Sequence, residues 1–263
     1  MLRLASVGSG SKGNATLVAT DETTILIDCG FPVREMLVRL SQLGVDISDI
    51  DAILVTHEHS DHIGGVAAVA KAAGAQVFAT HGTVASGKLD AVRSLVRIDS
   101  DSSFTIGDIE VNAITVPHDA REPVQYRFHF GASCVGVLTD LGWVSPHVLE
   151  AYKGCDLLLL EFNHDLEMLR RGPYPAVLKR SVSGDVGRLN NEQATTMLTA
   201  LGDLAPRVVI AGHISEQNNS VDRVAELLTP LAEQQKVKII YATQTQGFGW
   251  TTSESSGGVS RVA

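Results

Sequence analysis

The chain has 263 residues, 44% of them hydrophobic and 19% charged, with a formal net charge of −9 at pH 7. That length supplies a large buried core, and the composition is that of an ordinary globular protein without the roughly 20 uninterrupted apolar residues of a membrane span. The acidic balance argues against a duplex-binding surface spread over the whole protein, though a local basic patch or bound cations can still attract nucleic acid.

From the N-terminus, Leu2–Val7, Ala15–Thr20 and Thr23–Asp28 are expected as short strands. They are joined by the glycine-rich turn Gly8-Ser9-Gly10-Ser11-Lys12-Gly13 and by Asp21-Glu22. Residues 33–43 are expected as a helix with Met36, Leu37, Leu40 and Leu43 on one face. Ala52–Thr56 is a buried strand that runs straight into a histidine-rich segment; Val66–Ala73 follows as a helix and Gln76–Ala79 as a strand. The middle is strand-rich, with Ser103–Ile106, Glu110–Val116, Val124–Phe130 and Ser133–Thr139 separated by Gly107-Asp108 and Gly131. The last third alternates: strand Asp156–Leu160, helix 191–201, strand Arg207–Ala211, helix 220–231 and strand Val237–Tyr241. Strands followed by helices, twice over, predict an α/β protein with two packed sheets and helices outside, a four-layer αββα sandwich.

No Pro/Gly-rich linker divides this pattern, so residues 1–252 read as one domain and the Ser- and Gly-rich stretch 253–263 as a disordered tail. Met1 to Gly10 has one Arg and no sustained apolar run, so no secretory leader is expected and the cytoplasm is the expected compartment. Cys29, Cys134 and Cys155 are odd in number and lack CxxC spacing, so they read as small buried hydrophobes rather than as disulfides or a thiolate zinc site. A homo-oligomer is left open.

Three of the nine histidines fall within six residues, in His57-Glu58-His59-Ser60-Asp61-His62, just past the end of a buried strand. Imidazole and carboxylate ligands suit Zn, Mn or Fe. In an extended loop His57 and His59 point the same way, while Asp61 and His62 can turn toward a second centre, so two neighbouring divalent ions are geometrically reasonable. His118, Asp140 and His213 also stand just past the ends of expected strands.

The HxHxDH segment and the ordered recurrence of Asp28, His118, Asp140 and His213 resemble the signature of the metallo-β-lactamase fold superfamily over about residues 2–250. That resemblance implies that His57, His59 and His118 hold one metal and Asp61, His62 and His213 a second. Asp140 would bridge them, and Asp28 would be a carboxylate that holds the metal loop. A water between the ions would then lose a proton near neutral pH and attack the substrate. An oxygen ligand at Asp140 fits hydrolases and nucleases, whereas periplasmic β-lactamases usually carry a Cys there.

A finer resemblance is to the YycJ/WalJ/VicX group, thought to be DNA exonucleases. It is carried by Gly8 to Ala15, Pro117-His118-Asp119-Ala120, Glu161-Phe162-Asn163-His164-Asp165, Gly172-Pro173-Tyr174-Pro175 and His213-Ile214-Ser215 with Asn218-Asn219. The group, like ribonuclease Z, usually has a His in a Gly-His-Leu-Ser-Asn segment; here the segment reads Gly187-Arg188-Leu189-Asn190-Asn191. A guanidinium clamps phosphate but is no general acid near neutral pH. Protonation of the leaving group would then pass to His164 or water, with Asp61, His164 and Arg188 as catalytic candidates.

Lys12, Arg170, Arg171, Lys179 and Arg180 are candidates for attracting substrate phosphate. Tyr174, Phe162 and Trp143 are the few aromatics available for base stacking, and each reads as core. The leading expectation is a binuclear phosphodiesterase acting on DNA or RNA. The alternatives are a phosphodiesterase for a small cyclic or nucleotide phosphate, and a metal-binding protein with turnover reduced by Arg188.

Overall fold

A computed structural model describes residues 1–252. The first half of the chain forms strands β1 (Arg3–Gly8), β2 (Ala15–Ala19), β3 (Thr24–Ile27), β4 (Ala52–Leu54), β5 (Gln76–Thr80) and β6 (Leu95–Ile98). Helices α1 (Val33–Gln42), α2 (Ser60–Ile63), α3 (Val66–Ala73) and α4 (His81–Val84) lie between them. The second half forms β7 (Ser103–Ile106), β8 (Ile109–Thr115), β9 (Val124–Phe130), β10 (Ser133–Leu138), β11 (Leu157–Glu161), β12 (Val208–Gly212), β13 (Lys238–Tyr241) and β14 (Phe248–Thr251). Its helices are α5 (Pro146–Ala151), α6 (Leu166–Arg171), α7 (Ala176–Val182), α8 (Asn191–Leu201) and α9 (Val221–Gln235). The strands make two seven-stranded sheets, in the orders β14-β1-β2-β3-β4-β5-β6 and β13-β12-β11-β10-β9-β8-β7.

The layering follows from strands that are apolar on both faces. In β11, Leu157 and Leu159 point into the core between the sheets, and Leu158 and Leu160 point outward under helices. β12 repeats this, with Val208 and Ile210 inward and Val209 and Ala211 outward. On the first sheet, Leu17, Leu26, Ile53 and Val77 face outward and pack with Met36 and Leu40 of α1 and Val66, Val69 and Ala70 of α3. The result is the four-layer αββα sandwich expected from the sequence.

Within α1, Met36 and Leu40 are buried, but Leu37 is 45% exposed. The expectation that Leu37 shares their face is corrected: it lies about 100° round the helix from Met36, off the stripe that positions 33, 36, 40 and 43 define. Strands β6 and β14, and helices α5, α6 and α7, are too short or too mixed in polarity to have stood out in the sequence. The stretch 253–263, expected as a disordered tail, lies outside the described residues.

Topology puts one set of strand ends together. β3 and β4 are parallel neighbours, as are β10, β11 and β12. β8 and β10 are both antiparallel to β9 and so run the same way. The C-terminal ends of β3, β4, β8, β10, β11 and β12 therefore open onto one edge of the sandwich, where residues just past each strand can meet.

The two sheets are tied together at that edge by the fully buried Tyr126 of β9, whose hydroxyl donates to the Val55 carbonyl at 2.8 Å. Tyr126→Phe is expected to destabilise the fold by about 1–3 kcal/mol, because it leaves a buried carbonyl without its donor. A urea unfolding curve with an unchanged midpoint would show that this bond contributes nothing.

Candidate metal centre

The chain leaves β4 as Val55-Thr56-His57 in extended form and turns helical at α2, with His59 as the residue before its first turn. That change of conformation separates the segment into two groups. His57 and His59 stay on the extended side. Asp61 and His62 sit in the first turn of α2 and face another direction.

Asp28, just past β3, organises this loop. Its carboxylate accepts from Thr56 N at 2.8 Å, from Thr56 Oγ1 at 2.7 Å and from His62 Nδ1 at 2.8 Å. The Thr56 hydroxyl has given its only proton to Asp28, so its oxygen must accept from His57 Nδ1, 2.9 Å away. Nε2 of His57 is thereby left as a bare lone pair, and Nε2 of His62 is turned into the cluster with Nδ1–H committed to Asp28. Two further histidines are fixed likewise: His118 Nδ1 donates to the Gly187 carbonyl at 3.1 Å and His213 Nδ1 to Glu161 Oε1 at 3.1 Å. An outer nitrogen bonded to a carboxylate or carbonyl, with the inner one free, is the usual state of a metal-binding imidazole.

The free nitrogens converge. His57 Nε2 lies 3.0 Å from His59 Nδ1, which lies 3.3 Å from His118 Nε2. Beyond them, His62 Nε2 lies 2.7 Å from Asp140 Oδ2 and 3.5 Å from Asp61 Oδ2, and His213 Nε2 lies 3.7 Å from Asp140 Oδ1. The sets His57/His59/His118, Asp61/His62/His213 and His57/His62/Asp140 each bring three ligand atoms within 4.8 Å of one another, as does Asp140/Glu161/His213. All seven residues expected as ligands are thus brought together at one edge.

Electrostatics fit a cation here. Burial, reinforced by neighbouring positive charge, pushes His57 well below its usual range and His118 down to about 2, so both are neutral and can coordinate. Burial also works against charge on His62, but Asp28 and Asp61 outweigh it and hold that imidazole at about 9. The site therefore demands positive charge at His62 Nε2, and a bound cation would take the place of that proton. The fully buried Asp140 carboxylate turns its two oxygens to His62, His213 and the Arg188 guanidinium, so its charge is met inside the cluster itself.

Three of these residues have left-handed backbones: Asp28 (φ 59°), Asp140 (φ 55°) and His213 (φ 54°). Each costs on the order of 1 kcal/mol and turns a side chain from the strand direction toward the common edge. Gly30 has a different task. A Cβ there would meet the Asp61 carbonyl at 2.1 Å, so only glycine lets the β3 end approach the metal loop.

Arg188 reaches into the same cluster. Its guanidinium pairs with Asp140 and lies 3.7 Å from Glu161 Oε1, and burial lowers it to about 10, still charged at neutral pH. His164 is fully buried, and neither ring nitrogen has a hydrogen-bond partner among the described residues. Burial holds it down at about 4, so it carries no imidazolium proton to give at neutral pH.

The basic candidates are more dispersed. Lys12 pairs with Glu216 at 2.6 Å, while Arg170 and Arg171 on α6 both pair with Glu167. Lys179 and Arg180 lie on α7, whose Val182 carbonyl accepts from the Arg188 backbone N–H at 2.8 Å, which ties this helix to the Arg188 loop. Phe162 is core as expected, but Trp143 is 43% exposed, which corrects its reading as core. The turn after Asp140 carries it outward while Leu141 stays buried.

Sequence reasoning does not single out four residues that shape the site. Asn14 Nδ2 lies 3.1 Å from His62 Nε2 and 3.3 Å from His213 Nε2. Ser9 Oγ accepts from His213 N at 2.8 Å. Thr56 relays Asp28 to His57. Glu161 is fully buried and accepts from Leu141 N and Leu189 N as well as His213. Ser9, Asn14 and Glu161 lie inside segments that carry the finer resemblance, and Glu161 leaves a further signal: one carboxylate closing the unbroken apolar run Leu157–Leu160.

The sequence profile of the Beta-lactamase superfamily domain matches residues 23–214. The chain is 34% identical over 258 residues to "Exodeoxyribonuclease YycJ" of Bacillus anthracis, covering 94% of this chain and 91% of that protein. It is 35% identical over 221 residues to "Exodeoxyribonuclease WalJ" of Streptococcus pneumoniae, covering 81% of each. In fold it is similar to the metallo-beta-lactamase fold protein YhfI from Bacillus subtilis, with a TM-score of 0.71 at 16% identity over 94% of this chain and 98% of that one.

Because Asp28 fixes both His62 and, through Thr56, His57, Asp28→Asn is expected to lower affinity for Zn or Mn by about 10–100-fold. Competition against a chromogenic chelator measures this, with circular dichroism as a check on folding. Unchanged affinity in a folded variant would remove Asp28 from the metal-holding network.

Proposed function

The chain belongs to the metallo-β-lactamase fold superfamily, in the YycJ/WalJ-like group, and we propose that this metal-dependent hydrolase cleaves phosphodiester bonds in DNA as an exonuclease. What carries the reading is the convergence of six candidate ligand side chains with Asp140, in a chain whose relatives over most of their length bear the name exodeoxyribonuclease. His57, His59 and His118 would hold one divalent ion and Asp61, His62 and His213 a second, with Asp140 reaching both. Two such ions supply Lewis-acid charge for the phosphoryl oxygens and acidify a water toward neutral pH.

The protein's own groups do the rest. Asn14 offers an amide donor beside His62 and His213, where a phosphate oxygen can be received. Burial works against charge on Asp61, but the bond to His62 together with the charges of His62, His213 and Arg188 holds it ionised, able to accept a hydrogen bond from the attacking water. Arg188, permanently charged, grips a non-bridging oxygen with its fork. Neither Arg188 nor neutral His164 gives a proton to the departing oxygen, so solvent water is assigned that task. Exposed Trp143 borders a groove of about 430 Å³ with Asn190 and Gln193, a surface on which an unpaired base can stack.

Metal-loaded protein is expected to shorten end-labelled single-stranded DNA progressively from one end, and chelation to abolish this. Cleavage of bis-p-nitrophenyl phosphate alone would sink the nuclease reading in favour of a small-ester phosphodiesterase. No cleavage with Mn or Zn, and none after Arg188→His, would favour a metal-binding protein without turnover. Arg188→Ala is expected to lower kcat/KM on DNA by about 10–100-fold, the range for losing one charged hydrogen bond. An unchanged value would place Arg188 outside the reacting geometry.

A further inference from the structure

The opposite end of the second sheet carries a separate cluster of reactive side chains. Cys134 is the second residue of β10, and Cys155 lies two residues before β11, both at the N-terminal ends of these parallel strands. Asp140 and Glu161 stand at the other ends. Both thiols are free and buried, and their sulfurs are 3.3 Å apart. Backbone contacts hold the two segments side by side: Asp156 N donates to the Cys134 carbonyl at 2.8 Å, and Cys134 N to Asp156 Oδ2 at 2.9 Å.

Two buried cysteines in contact are not by themselves reactive. Here a cation is aimed at one of them. Arg127 Nε donates to Cys134 Sγ at 3.1 Å, and the same guanidinium is pinned by the Ala151 and Lys153 carbonyls at 2.8 and 3.2 Å. His129, opposite Cys134 in the β9–β10 register, brings Nε2 to 3.9 Å from that sulfur. A cavity of about 410 Å³, lined in part by Ser133 and Asp156, opens beside the chain neighbours of both cysteines. Cys29 makes the contrast: it lies against Phe31 with no cation, and burial pushes it up to about 12.

We propose that Cys134 and Cys155 are a reversible dithiol–disulfide pair, in which a peroxide oxidises Cys134 first and Cys155 resolves the product. The hydrogen bond from Cys155, helped by Arg127, draws Cys134 down to about 7 despite its burial, whereas the Cys155 thiol is pushed far up. Cys134 releases its proton to solvent in the adjoining cavity and remains as the thiolate beside Arg127. The thiolate attacks one peroxide oxygen, forming an S–O bond and breaking O–O; the departing hydroxide takes that proton and leaves as water. The Cys155 sulfur then attacks the sulfenic sulfur of Cys134. The S–S bond forms, S–O breaks, and the second hydroxide takes the Cys155 proton to give a second water. Two electrons leave the dithiol and reduce one peroxide. The sulfurs need to close by about 1.3 Å to reach disulfide length.

The test treats the full chain, in metal-free buffer, with stoichiometric hydrogen peroxide and maps peptides without reduction. The expected product joins the Cys134 and Cys155 peptides, lowers the chain mass by about 2 Da, leaves Cys29 titratable and reverts with dithiothreitol. Cys155→Ser is expected to leave a sulfenic acid at Cys134 that dimedone traps, and Arg127→Gln to slow the oxidation about tenfold. The proposal is overturned if all three thiols of the folded protein survive peroxide. A link formed through Cys29, or no dimedone adduct at Cys134 in the Cys155→Ser variant, overturns it equally. Oxidation of the Arg127→Gln variant at the wild-type rate overturns the part given to Arg127.

Discussion

The buried carboxylate of Asp28 is the interaction on which the rest of the site depends. It stands at the end of β3 and takes three hydrogen bonds, two from Thr56 and one from His62. Through them it sets the backbone of the loop after β4, the tautomer of His62 directly, and the tautomer of His57 by way of the Thr56 hydroxyl. An imidazole in the wrong tautomer would present N–H where a cation needs a lone pair. Asp28 thus acts on both halves of the cluster without pointing into it.

Such a network needs a rigid frame, and the sheets supply it. Six strand ends open on the same edge, and each candidate ligand lies in the segment that follows one of them. Reaching from those ends to a common point costs backbone conformation. Asp28, Asp140 and His213 all take left-handed φ values, at on the order of 1 kcal/mol each. Burial in the two outer cores and the central one offsets that cost. Strain is thus concentrated where the side chains must converge, while the strands that hold them stay regular.

The layering was legible because β11 and β12 are unbroken apolar runs and because Val66–Ala73 and 191–201 keep a helical period. The seven ligand candidates were legible because His and Asp recur past strand ends in a known order. What was not legible is the support around them. Thr56, Ser9 and Asn14 are ordinary polar residues whose importance lies in which atom they face, and that depends on contacts across as many as 204 positions of sequence. Trp143 and Leu37 were misjudged for one shared reason: an apolar residue beside buried neighbours is assigned to the core unless its direction is known. In both cases a turn of roughly one residue faces the side chain outward.

Arg188 shows how the same cluster constrains substitution. The site gathers Asp28, Asp61, Asp140 and Glu161 around imidazoles that, His62 apart, burial keeps neutral, so a positive group in the loop after α7 is drawn toward Asp140. A histidine at that position could exchange a proton near neutral pH; a guanidinium cannot. The exchange trades proton transfer for a fixed charge and a geometry matched to phosphate. It leaves the support network untouched, since Gly187 still offers its carbonyl to His118 and Leu189 N still donates to Glu161. Position 188 is therefore where the chemistry can be retuned while its neighbours on both sides remain tied to the ligands.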